Sequence, residues 1–150
     1  MGLDVSAGRL SYRIGSYSYF NNWRNTVFKL INKQNVDVTD FFGFGGDNPR
    51  LGDLDFFFIN DSSITRPIYR DLRYIINHSD SDGEITLQEC RRLFPALKMF
   101  VEEFYDGRKI IEANIGNDKV VDLKSLIETA VKFINLCAAA EKYKENMEFH

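Results

Sequence analysis

Soft metal ligands are scarce in this chain. Two histidines and two cysteines are spread over 150 residues, at no spacing that builds a zinc site. Basic blocks are scarce too. Nineteen Lys and Arg stand against 22 Asp and Glu, a net charge of −3, so broad nucleic-acid binding is not expected. Arg66, Arg70 and Arg73 make one local basic stripe at helical spacing, which reads as a solvated face. No apolar run approaches transmembrane length and the start lacks the apolar core of a signal peptide. No membrane association is therefore expected, and the expected location is cytoplasmic. "MGLDVS" does fit the short myristoylation pattern, which has meaning only in a eukaryotic setting. Cys90 and Cys137 sit among apolar residues at helical spacing, as buried thiols in a reducing compartment would; a disulfide between them stays open.

The usual catalytic signatures are missing as well. "GFGGDN" is followed by no Gly-Lys-Ser/Thr, so it is neither a P-loop nor a dinucleotide fingerprint. Ser18 or Ser79 could be drawn with His78 and Asp80, but sequence neighbours do not generally form a triad, and no nucleophile elbow is present. No motif supplies a nucleophile, a base and an oxyanion site together.

What is abundant is apolar and aromatic surface. The chain is 44% hydrophobic with 13 Phe and 7 Tyr, enough for a real core in one domain spanning 1–150. Residues 9–20 alternate partly and read as extended structure interrupted at Gly15. Trp23, Val27, Leu30 and Ile31 then fall on one helical stripe, which predicts a helix over 21–33 with Ser18 or Asn21 as N-cap. Residues 34–63 are irregular, with "LDFFFI" at 54–59 a short strand or a plug of the core. Pro67 belongs in the first turn of a helix over 65–77. "TLQE" at 86–89 is a capping box that opens a helix over 86–105, to be kinked or restarted by Pro95. A last helix is expected over 122–146. The fold class is mainly α (α+β): a single-domain bundle of about four helices with a small antiparallel β element built from 9–20, 54–59 and 147–150.

"NHSDSDGEITLQE" (77–89) poses the sharpest question of the sequence. As an EF-hand loop it puts His78 at position 1, Asp80 at 3, Asp82 at 5, Gly83 at 6, Ile85 at 8, Thr86 at 9 and Glu89 at 12. Asp80, Asp82, Glu84 and Glu89 would be the acidic residues of such a calcium site. An imidazole is a poor substitute for the first carboxylate. "DGEITLQEC" (82–90) aligns with "DKVVDLKSL" (118–126) at the 36-residue offset of paired EF-hands, but Lys119 replaces the glycine and Ser125 the glutamate. The competing reading is a plain helix–turn–helix connection with no cofactor, in which Asp, Ser and Gly make the turn and Glu89 serves the cap.

Four pieces of the chain also carry a resemblance: "MGLD" at the start, "YRIGSYSYFNNWR" (12–24), "INHSDSDGEI" (76–85) and "FINLCAAAEKYKENMEFH" at the end. Together they resemble a family of small uncharacterised proteins of bacteriophages and prophages. The resemblance singles out Gly15, Ser16, Tyr17, Ser18, Asn21, Trp23 and Arg24, and then His78, Ser79, Asp80, Asp82 and Gly83. It places a cysteine where this chain has Ser81, which removes thiol chemistry from that loop. It implies no activity. If the two central motifs meet, Arg24 faces Asp80 or Asp82, either as a salt bridge locking two elements or as the wall of a polar pocket.

The expected function is therefore that of a non-enzymatic phage or prophage accessory protein that binds a host or phage protein, or a small ligand, through Tyr17, Ser18, Asn21, Arg24, His78, Ser79, Asp80 and Asp82. Tyr12, Tyr19, Phe20 and the phenylalanines at 41–44 and 56–58 are either interface or core. The rivals are an EF-hand-like calcium protein and a small enzyme or ligand pocket built on Arg24, His78, Asp80 and Asp82.

Overall fold

The computed structural model describes residues 2–32, 64–78, 82–105 and 121–150. Strand β1 (Gly2–Ala7) and strand β2 (Leu10–Ser16) form a hairpin. Helix α1 (Tyr17–Ile31) follows without a break. A 3-10 helix (Pro67–Leu72) runs into the short helix α2 (Arg73–Ile76). Strand β3 (Gly83–Ile85) leads to α3 (Leu87–Phe104), and α4 (Leu123–Tyr143) to β4 (Met147–Phe149). The four strands make one antiparallel sheet in the order β2-β1-β4-β3. The architecture is mainly helical α+β with a small antiparallel sheet, as the sequence predicts.

Alternation explains the sheet. Leu3, Val5 and Ala7 of β1 are buried while Gly2, Asp4 and Ser6 point the other way. Met147 and Phe149 of β4 are buried and Glu148 is exposed. Helices α1 and α4 pack on the buried side. Beneath them Phe20, Trp23, Phe133 and Phe149 form a continuous ring cluster, with centroids 5.4–6.2 Å apart. Polar bonds fasten α1 to α4 along this seam. Trp23 donates its indole N–H to the Leu126 carbonyl at 3.0 Å, and the Tyr19 hydroxyl lies 2.7 Å from Thr129 Oγ1.

Several boundaries differ from expectation. Helix α1 starts four residues early, and its N-cap is Ser16, whose Oγ accepts from the Tyr19 N–H at 3.0 Å, rather than Ser18 or Asn21. Gly15 is the cause. It sits at φ +146, a conformation that favours glycine, and its missing Cβ leaves room for the Tyr19 ring, which a Cβ would approach to 2.8 Å. It ends the strand and frees Ser16 to cap. The same spot carries a bulge: Leu3 pairs with Gly15 and Asp4 with Arg13, so Ile14 is the extra residue. The 65–77 helix divides into 3-10 and α parts, with Pro67 in its first turn as expected. Helix α3 does not restart at Pro95, which lies inside one continuous helix on its exposed side. Helix α4 stops at Tyr143, where Lys144 turns left-handed at φ +55. Strands β1 and β3 were not expected, and the predicted strand 54–59 lies outside the described residues.

The helix starts obey a common rule. Thr86 and Glu89 form the capping box read from "TLQE": Thr86 Oγ1 accepts from the Glu89 N–H at 3.2 Å and Glu89 Oε1 from the Thr86 N–H at 2.9 Å. Asp122 caps α4 by accepting from the Ser125 N–H at 2.8 Å, a bond that holds its carboxyl below the usual range. Thr86 with Glu89 and Asp122 with Ser125 are the pairs aligned by the 36-residue offset. What that likeness reports is two helix N-termini. We expect Thr86→Ala to lower stability by about 1 kcal/mol in urea unfolding, and Glu89→Gln, which keeps the box, to lower it less.

Candidate functional site

Tyr17, Asn21 and Arg24 share one stripe of α1, because positions i, i+4 and i+7 lie on one helical face. That stripe faces the end of α2. Arg24 is 2% exposed, and its Nη1 donates to the carbonyl of Ile76 at 3.0 Å and to that of His78. Its guanidinium carbon stands 5.3 Å from the Phe20 ring centroid. The last carbonyls of a helix lack partners within it, and a buried cation with a planar fork of donors answers that need. The structure thus brings Arg24 and His78 together. The described partners of Arg24 are backbone carbonyls. Of the two carboxylates expected to face it, Asp80 lies outside the described residues, as does Ser79, and Asp82 is exposed.

The second motif is held from two sides. His78 Nε2 lies 3.1 Å from the Glu84 carbonyl, and its ring stands 4.1 Å from that of Phe149. Gly83, at φ +99, passes beneath the ring, with its Cβ position 3.4 Å from His78 Cε1. Glu84 Oε2 accepts from Asn146 Nδ2 at 3.1 Å, and Asn146 Oδ1 accepts from the Leu87 N–H at 2.9 Å. The chain end joins the same corner. Asp4 and His150 exchange backbone bonds of 2.8 and 3.1 Å, and His150 Nε2 lies 2.8 Å from Ser6 Oγ. Contacts of Asp4 with His150, of Arg24 with His78 and of Phe149 with Phe20 and His78 thus link these pieces of the chain.

This geometry explains why the loop looks like an EF-hand. Its glycine at position 6 has positive φ, positions 6–8 are extended, and positions 9 and 12 cap the outgoing helix. In a calcium loop the side chain at position 1 and the carbonyl at position 7 share the ion. Here the imidazole at position 1 bonds the carbonyl at position 7 directly. Strand β3 pairs with β4, in place of a second loop. Glu89 is engaged in the capping box, Glu84 and Asp82 are exposed, and among the described residues no group of three His, Cys, Asp or Glu gathers to hold a metal. We expect millimolar calcium to leave the melting temperature unchanged; a micromolar affinity abolished by Asp82→Ala would overturn that expectation.

The other predicted residues separate. Ser18 is exposed, Tyr17 is half-buried against the core, and Asn21 is buried. Phe20 is fully buried, while Tyr12 and Tyr19 are half-buried with their hydroxyls bonded to α4, so these rings belong to the core. Phenylalanines 41–44 and 56–58 lie outside the described residues. Sequence reading missed Ser6 beside His150, 144 positions away. The spacing is that of a nucleophile and its base, but β1 is an inner strand whose amides pair with β2 and β4. It also missed that Cys90 and Cys137 adjoin. Comparison of the chain with protein-family models, with curated proteins and with solved structures gave no match.

Proposed function

We propose that this chain is a non-enzymatic accessory protein of a phage or prophage, acting in the host cytoplasm by binding a protein partner. The observation that carries the proposal is the sheet face turned away from the helices. Asp4, Ser6, Arg13, Glu84, Glu148 and His150 lie there, all exposed or half-exposed, in a polar row across the strands. Arg13 and Asp4 pair at 2.6 Å at one end, which leaves Glu84 and Glu148, directly opposite each other, to set an acidic character at the other. Such a face suits a partner with a complementary basic patch. The motif residues Gly15, Ser16, Trp23, Arg24 and His78 support the reading in a different way. Their described contacts build the fold that presents this face, and they converge on no reacting centre. No described helix is long and apolar enough to cross a membrane.

The test is affinity capture from infected and uninfected host cells with the wild-type chain and the double charge reversal Glu84→Lys, Glu148→Lys. A partner retained by the wild type and lost by the variant at unchanged melting temperature is the expected result. Capture indifferent to the variant would remove this face as the binding surface. A catalytic turnover abolished by Arg24→Gln or His78→Gln in a folded protein would favour the rival pocket.

A further inference from the structure

The two cysteines of the chain are neighbours in space. Cys90 lies in the first turn of α3 and Cys137 in the second half of α4, both free and both buried. Each thiol shifts the titration of the other. They also line one groove of about 390 Å³ between the two helices, whose walls are Phe94 and Ala138. Its rim is the Arg91–Glu141 pair at 2.6 Å, a fork in which Arg91 and Lys144 hold the Glu141 carboxyl down at about 2. The cysteine pair therefore belongs to the core and borders this groove.

We propose that Cys90 and Cys137 are a thiol–disulfide exchange site, open through this groove to small disulfides such as oxidised glutathione. The two sulfurs are not equivalent. The neighbouring Cys137 and the Met147 backbone hold the Cys90 thiol below the ordinary range, against burial and the Glu89 carboxylate, which act upward. The neighbouring Cys90, with burial, drives Cys137 far up. Cys90 stands in the first turn of α3, where the helix N-terminus favours an anion, and it is the thiolate that attacks. Its sulfur displaces one half of the small disulfide as a thiolate and forms a mixed disulfide. Cys137 then gives its proton to the departing thiolate, and its sulfur attacks that of Cys90, releasing the second half, which takes up the proton Cys90 lost. Two protein thiols become one disulfide, and one small disulfide becomes two thiols. The bond formed ties the start of α3 to α4. Cys90 also donates to the Ile85 carbonyl at 3.7 Å, so oxidation withdraws a donor from the end of β3.

Incubating the native protein with oxidised glutathione, then alkylating and measuring intact mass, tests the site without any substitution. The expected product has lost two hydrogens, carries no alkyl groups, remains monomeric, and reverts with dithiothreitol. Cys137→Ser should stop at one glutathione adduct on Cys90, and Cys90→Ser should react far more slowly. Two thiols that stay unoxidised in the native chain, while the urea-unfolded chain forms the disulfide, would overturn the proposal. So would a disulfide found only between molecules, or equal adduct rates in the two variants.

Discussion

Arg24→Ala is expected to lower the folding free energy by about 3 kcal/mol, roughly the worth of one to two charged hydrogen bonds in a buried site. The side chain is 2% exposed and donates to two carbonyls at the end of α2. Truncation leaves those carbonyls without their charged donor and opens space beside Phe20, which the guanidinium covers. Lysine restores the charge without the planar fork, so Arg24→Lys should recover less than half of the loss. Urea unfolding measures both variants: the midpoint should fall with the slope unchanged. Amide exchange gives the local signature, with protection lost first at Asn77, His78 and the β3 residues. A loss under about 1 kcal/mol, the worth of an exposed ion pair, would remove Arg24 as the lock between α1 and the α2 turn. Because purified protein alone gives the readout, the result does not depend on any ligand or partner.

The sequence carries the start of this contact but not its end. Stripe positions 17, 21 and 24 follow from the helical period, and the sequence marks the 78–83 segment as a second motif without fixing whether the two meet. The acceptors are backbone carbonyls, which every residue possesses, so no side-chain letter marks them. A carboxylate partner is the natural reading of an arginine in a sequence, and the acceptors described for Arg24 are of another kind. The same limit explains Ser6 and His150, which meet only because β4 inserts between β1 and β3. Burial of Cys90 and Cys137 is legible from the stripes of their helices. Their adjacency depends on how α3 slides along α4, which no local pattern encodes. Other features lie in plain view. Leu3, Val5 and Ala7 alternate as a half-buried strand should, but a pattern read as a possible lipidation signal hides them. Gly15 marks the strand's interruption, and a cap directly after it follows once its φ is known. Strand β3 is three residues long, too short for any period, and forms because β4 offers it an edge.

Phe149→Ala is expected to cost more than Arg24→Ala, about 4 kcal/mol, in the range for removing a buried phenyl ring. The ring is 4% exposed and lies 6.0 Å from Phe20, 6.2 Å from Phe133 and 4.1 Å from His78. It is held in β4, the strand that joins β1 to β3, with Val5 on one side and Gly83 on the other. Losing it removes apolar contact and leaves a cavity that two adjacent backbones prevent from closing. The α4 side of the core and the sheet would loosen together, so near-ultraviolet circular dichroism should weaken along with the urea midpoint. Phe149→Leu retains most of the volume and should cost about 1.5 kcal/mol. A double-mutant cycle with His78→Ala separates the stacking from the rest. The coupling expected for two rings in contact is about 1 kcal/mol. A cycle that closes to zero would remove the ring contact as a support of His78, and His78 and the β3 residues should then keep their amide protection in Phe149→Ala while the remainder of β4 loses its own.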